Sequence, residues 1–249
     1  MKICSKHLMG MKGKKQIPML TAYTCSIARS IELAGVPVIL VGDTVGMVEM
    51  GFSNTRDVTM EHMEYHIGAV RRGAQNTHII GDLPYLADAD PCTALNNAER
   101  LLEAGADSIK LEGPKLDVIK YLVENGVSVV GHTGLTPQTA LNFKKVGGTE
   151  SEAIRVAEEA KAIQGAGAFM VVLEHIPSTL AQSITSTLSI PTIGIGAGPN
   201  CDGQVLVIND ALGIGDYWPP FSKQYSYVSK TVFEVAKTYC DEVESFTFL

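Results

Sequence analysis

The sequence holds no C-x-x-C pair, and its five cysteines, Cys4, Cys25, Cys92, Cys201 and Cys240, show no zinc-binding spacing. An odd, scattered set of thiols argues against a disulfide framework and points to a reduced, cytoplasmic setting. Long apolar runs are missing too: none approaches the roughly 18 residues of a membrane span. The basic start of the chain, with Lys2, Lys6, Lys12, Lys14 and Lys15, leaves no room for the apolar core of a secretion signal. Positive charge is in short supply, 20 Lys and Arg against 27 Asp and Glu, and a net of −7 disfavours nucleic acid and acidic membrane as partners. Small molecules are the expected partners. With 45% hydrophobic and 19% charged residues, the 249-residue chain can bury a substantial core, which excludes disorder.

Glycine, by contrast, is plentiful: 24 residues, with no low-complexity repeat to account for them. Apolar runs of strand length alternate with segments of helical period, the pattern of parallel strands joined by crossover helices. The runs predict strands near residues 19–22, 38–41, 78–81, 108–111, 128–130, 169–173, 192–195 and 205–208. Helices are predicted at about 26–34, 60–72, 92–104, 116–124, 150–164, 179–187 and 226–244, with none convincing between the last two strands. Gly35, Gly105, Gly126 and Gly167 each end a helical pattern just before a strand, the position of a left-handed helix stop. Eight units over 249 residues average about 31 each, which favours a single (β/α)8 TIM-barrel domain over 1–249. A doubly wound open sheet is the competing architecture, although the first turn carries no G-x-G-x-x-G.

In a parallel α/β fold, function gathers at the carboxyl ends of the strands. The polar residues that follow the apolar runs are Asp43, Asp82, Glu112, His132 and Glu174. Any one of these carboxylates alone reads more readily as a helix cap or loop hydrogen-bonder. Four on one rim would repel one another unless a cation joined them, and an all-oxygen donor set selects a hard ion, Mg²⁺ or else Mn²⁺. Asp43, Asp82 and Glu112, from neighbouring early strands, are the metal candidates. Glu174, farther round the rim, is the candidate general base. Lys110 shares the inward face with Glu112 two residues on, and suits either an anionic substrate or an ion pair with one of the carboxylates.

Other features are less specific. The loop Gly42-Asp43-Thr44-Val45-Gly46-Met47 offers backbone amides and a hydroxyl as a seat for an anion. The stretch Ile193-Gly194-Ile195-Gly196-Ala197-Gly198 fits close ligand approach or tight packing equally well. Thr136 and Pro137 read as N-cap and first residue of a short helix. His62 and His66, four apart, read as a solvated or packed helix face.

The strings Leu40-Val41-Gly42-Asp43-Thr44-Val45-Gly46-Met47, Gly81-Asp82-Leu83-Pro84, Lys110-Leu111-Glu112-Gly113, Gly131-His132-Thr133-Gly134-Leu135-Thr136-Pro137-Gln138, Leu173-Glu174 and Ile193-Gly194-Ile195-Gly196-Ala197-Gly198, in this order, resemble the ketopantoate hydroxymethyltransferase family. The resemblance implies a cytoplasmic (β/α)8 barrel of the phosphoenolpyruvate mutase/isocitrate lyase-like group and a homo-oligomer, the family suggesting a decamer. It implies transfer of a one-carbon unit from 5,10-methylenetetrahydrofolate to 3-methyl-2-oxobutanoate in pantothenate biosynthesis. It also implies Mg²⁺ on Asp43, Asp82 and Glu112. Asp43, Thr44, Asp82, Lys110 and His132 would contact the keto acid, and Glu174 would accept its proton.

Thr44 stands where the family usually has Ser, Thr24 where it usually has Asp, and Phe52-Ser53 where a His or Tyr precedes an acidic residue. Asn142-Phe143-Lys144-Lys145-Val146-Gly147-Gly148 keeps only Lys-Val and the final Gly of a Gly-rich family motif. These changes fall on loops around an intact acidic set. Two other readings compete: a Mg²⁺-dependent lyase or mutase acting on another 2-oxo acid, and an inactive barrel that serves in binding or assembly.

Overall fold

Runs that are apolar on both faces, such as Val38-Ile39-Leu40-Val41, need cover from two sides and form the buried strands of a parallel sheet. The computed structural model describes residues 2–248. In chain order the elements are α1 (Ser5–Met9), β1 (Ile17–Thr21), α2 (Cys25–Leu33), β2 (Val38–Val41), α3 (Val45–Val48), a 3₁₀ turn (Thr55–Asp57), α4 (Met60–Gly73), β3 (His78–Asp82) and α5 (Pro91–Ala104). They continue with β4 (Ser108–Lys110), α6 (Leu116–Glu124), β5 (Val129–Gly134), α7 (Glu150–Gly165), β6 (Met170–Glu174), α8 (Ser178–Thr187), β7 (Thr192–Ile195), β8 (Gly203–Leu206), α9 (Ile208–Leu212) and α10 (Val228–Glu244). The strands run β1 to β8 in sequence order and close into a barrel, and the strand pairs are parallel. The open-sheet alternative is thereby excluded.

Local chemistry sets the helix ends. Asp90 accepts the amides of Cys92 and Thr93 at 3.0 Å, with Pro91 preset for the first turn of α5. Thr149 and Glu152 form a capping box at the start of α7, and Thr59 and His62 one at the start of α4. His62 is thus a cap, while His66 Nδ1 lies 2.8 Å from the carbonyl of Tyr23, in line with a packed face. Gly35, Gly105, Gly126 and Gly167 all have positive φ, as their helix-stop role requires.

The barrel interior is filled by Met19, Val38, Leu40, Ile80, Val130, Met170, Val172, Ile193 and Val205, joined by Leu8. Leu8 belongs to α1, a helix too short to show a period in the sequence, which plugs the amino-terminal end of the barrel. Lys12, just after α1, reaches Asp202 Oδ2 at 2.7 Å, and Asp202 also accepts the amide of Thr192 at 2.9 Å. Removing one partner of such a part-buried pair leaves the other uncompensated. Asp202→Ala is therefore expected to destabilise the fold by about 3 kcal/mol, read as a lowered urea midpoint; an unchanged midpoint would show that the pair contributes nothing.

Several boundaries differ from the sequence expectations. β1 begins at Ile17 and β8 at Gly203, each two residues early, and residue 208 starts α9 instead of ending a strand. β5 extends to Gly134, so His132 is a strand residue. Thr136-Pro137 opens only a single turn, in which the amides of Thr139 and Ala140 bond the carbonyl of Thr136. No helix lies between β7 and β8 among the described residues.

The chain divides into two compact units, one ending at Val205 and one beginning at Leu206. Within the second, α9 stops at Gly213 in the left-handed conformation, and Ser222 donates to Asp210 at 2.6 Å. Its long helix, α10, buries no residue and exposes Val232, Phe233, Val235 and Tyr239.

Candidate active site

Parallel register delivers the acidic residues to one end of the barrel. β2 pairs with β3 so that Val41 lies beside Gly81, which places Asp43 and Asp82 on adjacent strand ends. β3 pairs with β4 so that Asp82 lies beside Lys110. Lys110 Nζ donates to both oxygens of Asp82, at 2.9 and 2.8 Å, a fully buried ion pair. Of the two uses open to Lys110, the ion pair is the one seen. Asp43 joins them through its backbone amide, 3.4 Å from Asp82 Oδ2.

Glu112, beyond the end of β4, is buried, and its Oε1 accepts the amide of Gln138 at 3.0 Å. Across the rim β5 pairs with β6, setting Gly134 beside Glu174. His132 stands between the two glutamates, with Nδ1 3.7 Å from Glu112 Oε2 and Nε2 3.3 Å from Glu174 Oε2. Neither ring nitrogen is aligned for a hydrogen bond. Glu174 is the part-exposed member of the set, its side chain 18% accessible against 5% for Glu112. Immediately after it the chain turns at His175, with φ +49, a costly conformation for a residue with a β-carbon. The carbonyl of His175 accepts the amide of Val146, so the divergent 142–148 loop sits directly behind Glu174.

Burial raises the pKa of Asp43, against the pull of Lys110. Burial likewise lifts Asp82 to about 6, with Lys110 opposing and Asp43 adding to the rise. Glu112 is pushed up to about 8 by burial, opposed by Lys110 and reinforced by Asp43 and Asp82. Burial disfavours the ammonium of Lys110, but Asp82, Asp43 and Glu112 outweigh it and hold its pKa above the usual range. One cation thus serves three buried carboxylates, and the site is short of positive charge. Among the described residues, no three His, Cys, Asp or Glu side chains form a ready-made metal cage. Lys110 holds Asp82 and Gln138 holds Asp43. The donor chemistry nonetheless fits a hard divalent ion: buried oxygens, raised carboxylate pKa values and a deficit of cationic partners.

Two expectations change. The loop after β2 is no seat of open amides, because Val45, Gly46 and Met47 donate to the carbonyls of Gly42, Asp43 and Thr44 within the single turn of α3. Thr44 remains half-buried at its start, with no capping hydrogen bond from its hydroxyl. In the glycine-rich segment of β7, the observed role is packing. A β-carbon on Gly194 would lie 3.0 Å from Cys201 Sγ, and one on Gly198 would meet Ser178 Oγ at 2.3 Å. The residue that sequence reading passed over is Gln138. It lay at the end of a quoted motif, but nothing in a turn sequence says which strand ends its side chain will reach.

A family model described as ketopantoate hydroxymethyltransferase matches residues 2–248. The 3-methyl-2-oxobutanoate hydroxymethyltransferase of Picosynechococcus sp. is 48% identical over 244 residues, covering 95% of this chain and 93% of that protein. The enzyme of the same name from Syntrophus aciditrophicus is 46% identical over 256 residues, covering 99% and 94%. Among solved structures, 2,3-dimethylmalate lyase, a PEP mutase/isocitrate lyase superfamily member, superposes with a TM-score of 0.64 at 14% identity, covering 98% of this chain and 89% of that one. At that identity the likeness shows the fold, the (β/α)8 barrel of that group.

Proposed function

Because the chain belongs to the ketopantoate hydroxymethyltransferase family, we propose that its rim of buried carboxylates carries a Mg²⁺-assisted hydroxymethyl transfer with Glu174 as the proton acceptor. The chain is a one-carbon transferase that forms ketopantoate from 3-methyl-2-oxobutanoate in pantothenate synthesis. The donor in this reading is 5,10-methylenetetrahydrofolate. The observation that carries it is the buried Asp82–Lys110 pair, flanked by Asp43 and Glu112 and linked through His132 to a part-exposed Glu174.

Asp43, Asp82 and Glu112 would hold the ion, with Mn²⁺ as the alternative hard cation. When bound, it supplies Lewis-acid polarisation of the 2-oxo acid. The protein's own groups do the rest. The Lys110 ammonium and the Thr44 hydroxyl bind and orient the keto acid beside Asp43 and Asp82. Glu174 takes the C3 proton onto a carboxylate oxygen, leaving an enolate. Lys110 offsets the negative charge that develops. The enolate carbon then attacks the methylene carbon of the donor, forming the new carbon–carbon bond. His132, 3.3 Å from Glu174 Oε2, orients the base and lies close enough to favour its ionised form whenever the imidazole is protonated.

A homo-oligomer working in the cytoplasm belongs to the same reading. The apolar residues exposed along α10 support assembly; no helix among the described residues is long and apolar enough to cross a membrane. The direct test is an assay for ketopantoate from 3-methyl-2-oxobutanoate and methylenetetrahydrofolate, with Mg²⁺ and with chelator. Product that forms only with the ion is the expected result, and equal turnover in chelator would overturn the metal assignment.

A further inference from the structure

Gln138 sits in the turn after β5, far in sequence from Asp43, yet is buried to 2% exposure and makes three hydrogen bonds into the acidic rim. Its Nε2 donates to Asp43 Oδ2 at 2.8 Å and to the carbonyl of Leu83 at 3.0 Å. Both partners can only accept, so the amide orientation is fixed: the NH₂ group must face them. Its backbone N–H donates to Glu112 Oε1 at 3.0 Å. One residue therefore grips one oxygen of each of two carboxylates that come from different strands, and ties them to the strand end that carries Asp82.

A neutral donor is the group this place calls for. A second ammonium would compete for the carboxylates as a counter-ion, whereas an amide orients them and leaves their charge unspent. An apolar side chain would leave Asp43 Oδ2 and the Leu83 carbonyl buried without a donor. The turn itself is held by the bonds from Thr139 and Ala140 to Thr136, so the grip rests on a local scaffold and not on a free loop.

From this geometry we infer that Gln138 is a positioning residue for cation binding: it presents Asp43 and Glu112 with one oxygen each tied back and the other left for the ion. The inference rests on the reading of Asp43, Asp82 and Glu112 as the Mg²⁺ ligands. Outer-shell partners of this kind change metal affinity by about 10–100-fold when removed. Gln138→Met keeps the side-chain length and removes the donor, while the backbone bond to Glu112 remains.

Isothermal titration of the metal-free protein with Mg²⁺ gives a readout independent of turnover. The variant is expected to bind Mg²⁺ about 10–100-fold more weakly, with a thermal midpoint close to wild type. Turnover is expected to fall at limiting Mg²⁺ and to recover to within a few-fold at saturating Mg²⁺, which a misfolded site would not do. Wild-type Mg²⁺ affinity in Gln138→Met overturns this inference alone. Wild-type protein that takes up no Mg²⁺ overturns the metal reading, and the role of Gln138 with it. Weakened binding that saturating Mg²⁺ fails to rescue also counts against it, since the defect would then lie in the fold of the turn.

Discussion

Glu174→Gln is expected to slow exchange of the C3 proton of 3-methyl-2-oxobutanoate with solvent deuterium by about 10²–10⁴-fold, the usual contribution of a positioned general base. The substitution is nearly isosteric, so the end of β6 and the turn at His175 should survive it. What it removes is the capacity to accept a proton. Asp43, Asp82 and Lys110, the groups assigned to the keto acid, are untouched, so KM for the keto acid should stay within a few-fold while kcat falls with the exchange rate. Glu174 suits the part on structural grounds: it is the most accessible of the four carboxylates, and only His132 stands beside it. Asp82, by contrast, has both oxygens on Lys110. Exchange at the wild-type rate in the variant would remove Glu174 from the mechanism and leave Glu112, held near 8 by burial, as the remaining candidate acid or base.

The acidic rim was legible because parallel strands advertise their carboxyl ends: an apolar run must stop where the barrel opens, and Asp43, Asp82, Glu112 and Glu174 each follow such a stop. The order of strands and the helix-stop glycines were legible for the same reason, as local signals repeated eight times over. Contacts that join distant segments were not. Strand alternation says that Lys110 points inward, but the choice of Asp82 as its partner depends on the register of β3 against β4. Gln138 needs the whole β5 turn to fold back over β2 before its amide can reach Asp43. Helices of four or five residues, such as α1 and α3, are too short to show a period, and α1 exists because Leu8 fills the barrel's end rather than because its own sequence favours a helix. α3 consumed amides that the sequence alone presented as open, since a Gly-containing loop and a single helical turn look alike before their hydrogen bonds are known.

Metal-free protein is expected to lose stability as pH rises from about 5 to 8, contrary to the usual behaviour of an acidic protein, and Mg²⁺ is expected to restore it. Asp82 and Glu112 have folded-state pKa values of about 6 and about 8, against unfolded values of about 3.9 and 4.3. An acid whose pKa is raised on folding holds its proton more tightly in the native state. Its stabilising contribution is complete below the unfolded pKa and is lost as pH climbs through the folded one. At about 1.4 kcal/mol per unit, the combined loss across this window is on the order of several kcal/mol, large against the stability of an ordinary domain. The ion is held by ionised carboxylates, so its stabilisation grows with pH as proton competition fades. Thermal midpoints in chelator should therefore fall between pH 5.5 and pH 8, and the upward shift on adding Mg²⁺ should be larger at pH 8. Lys110→Met removes the one cation already present and should steepen the fall in chelator, because Asp82 then has no counter-charge of its own. A midpoint that rises with pH in chelator would mean that the three carboxylates are already ionised and balanced without the ion, and that the rim is not the charge-deficient site its burial implies.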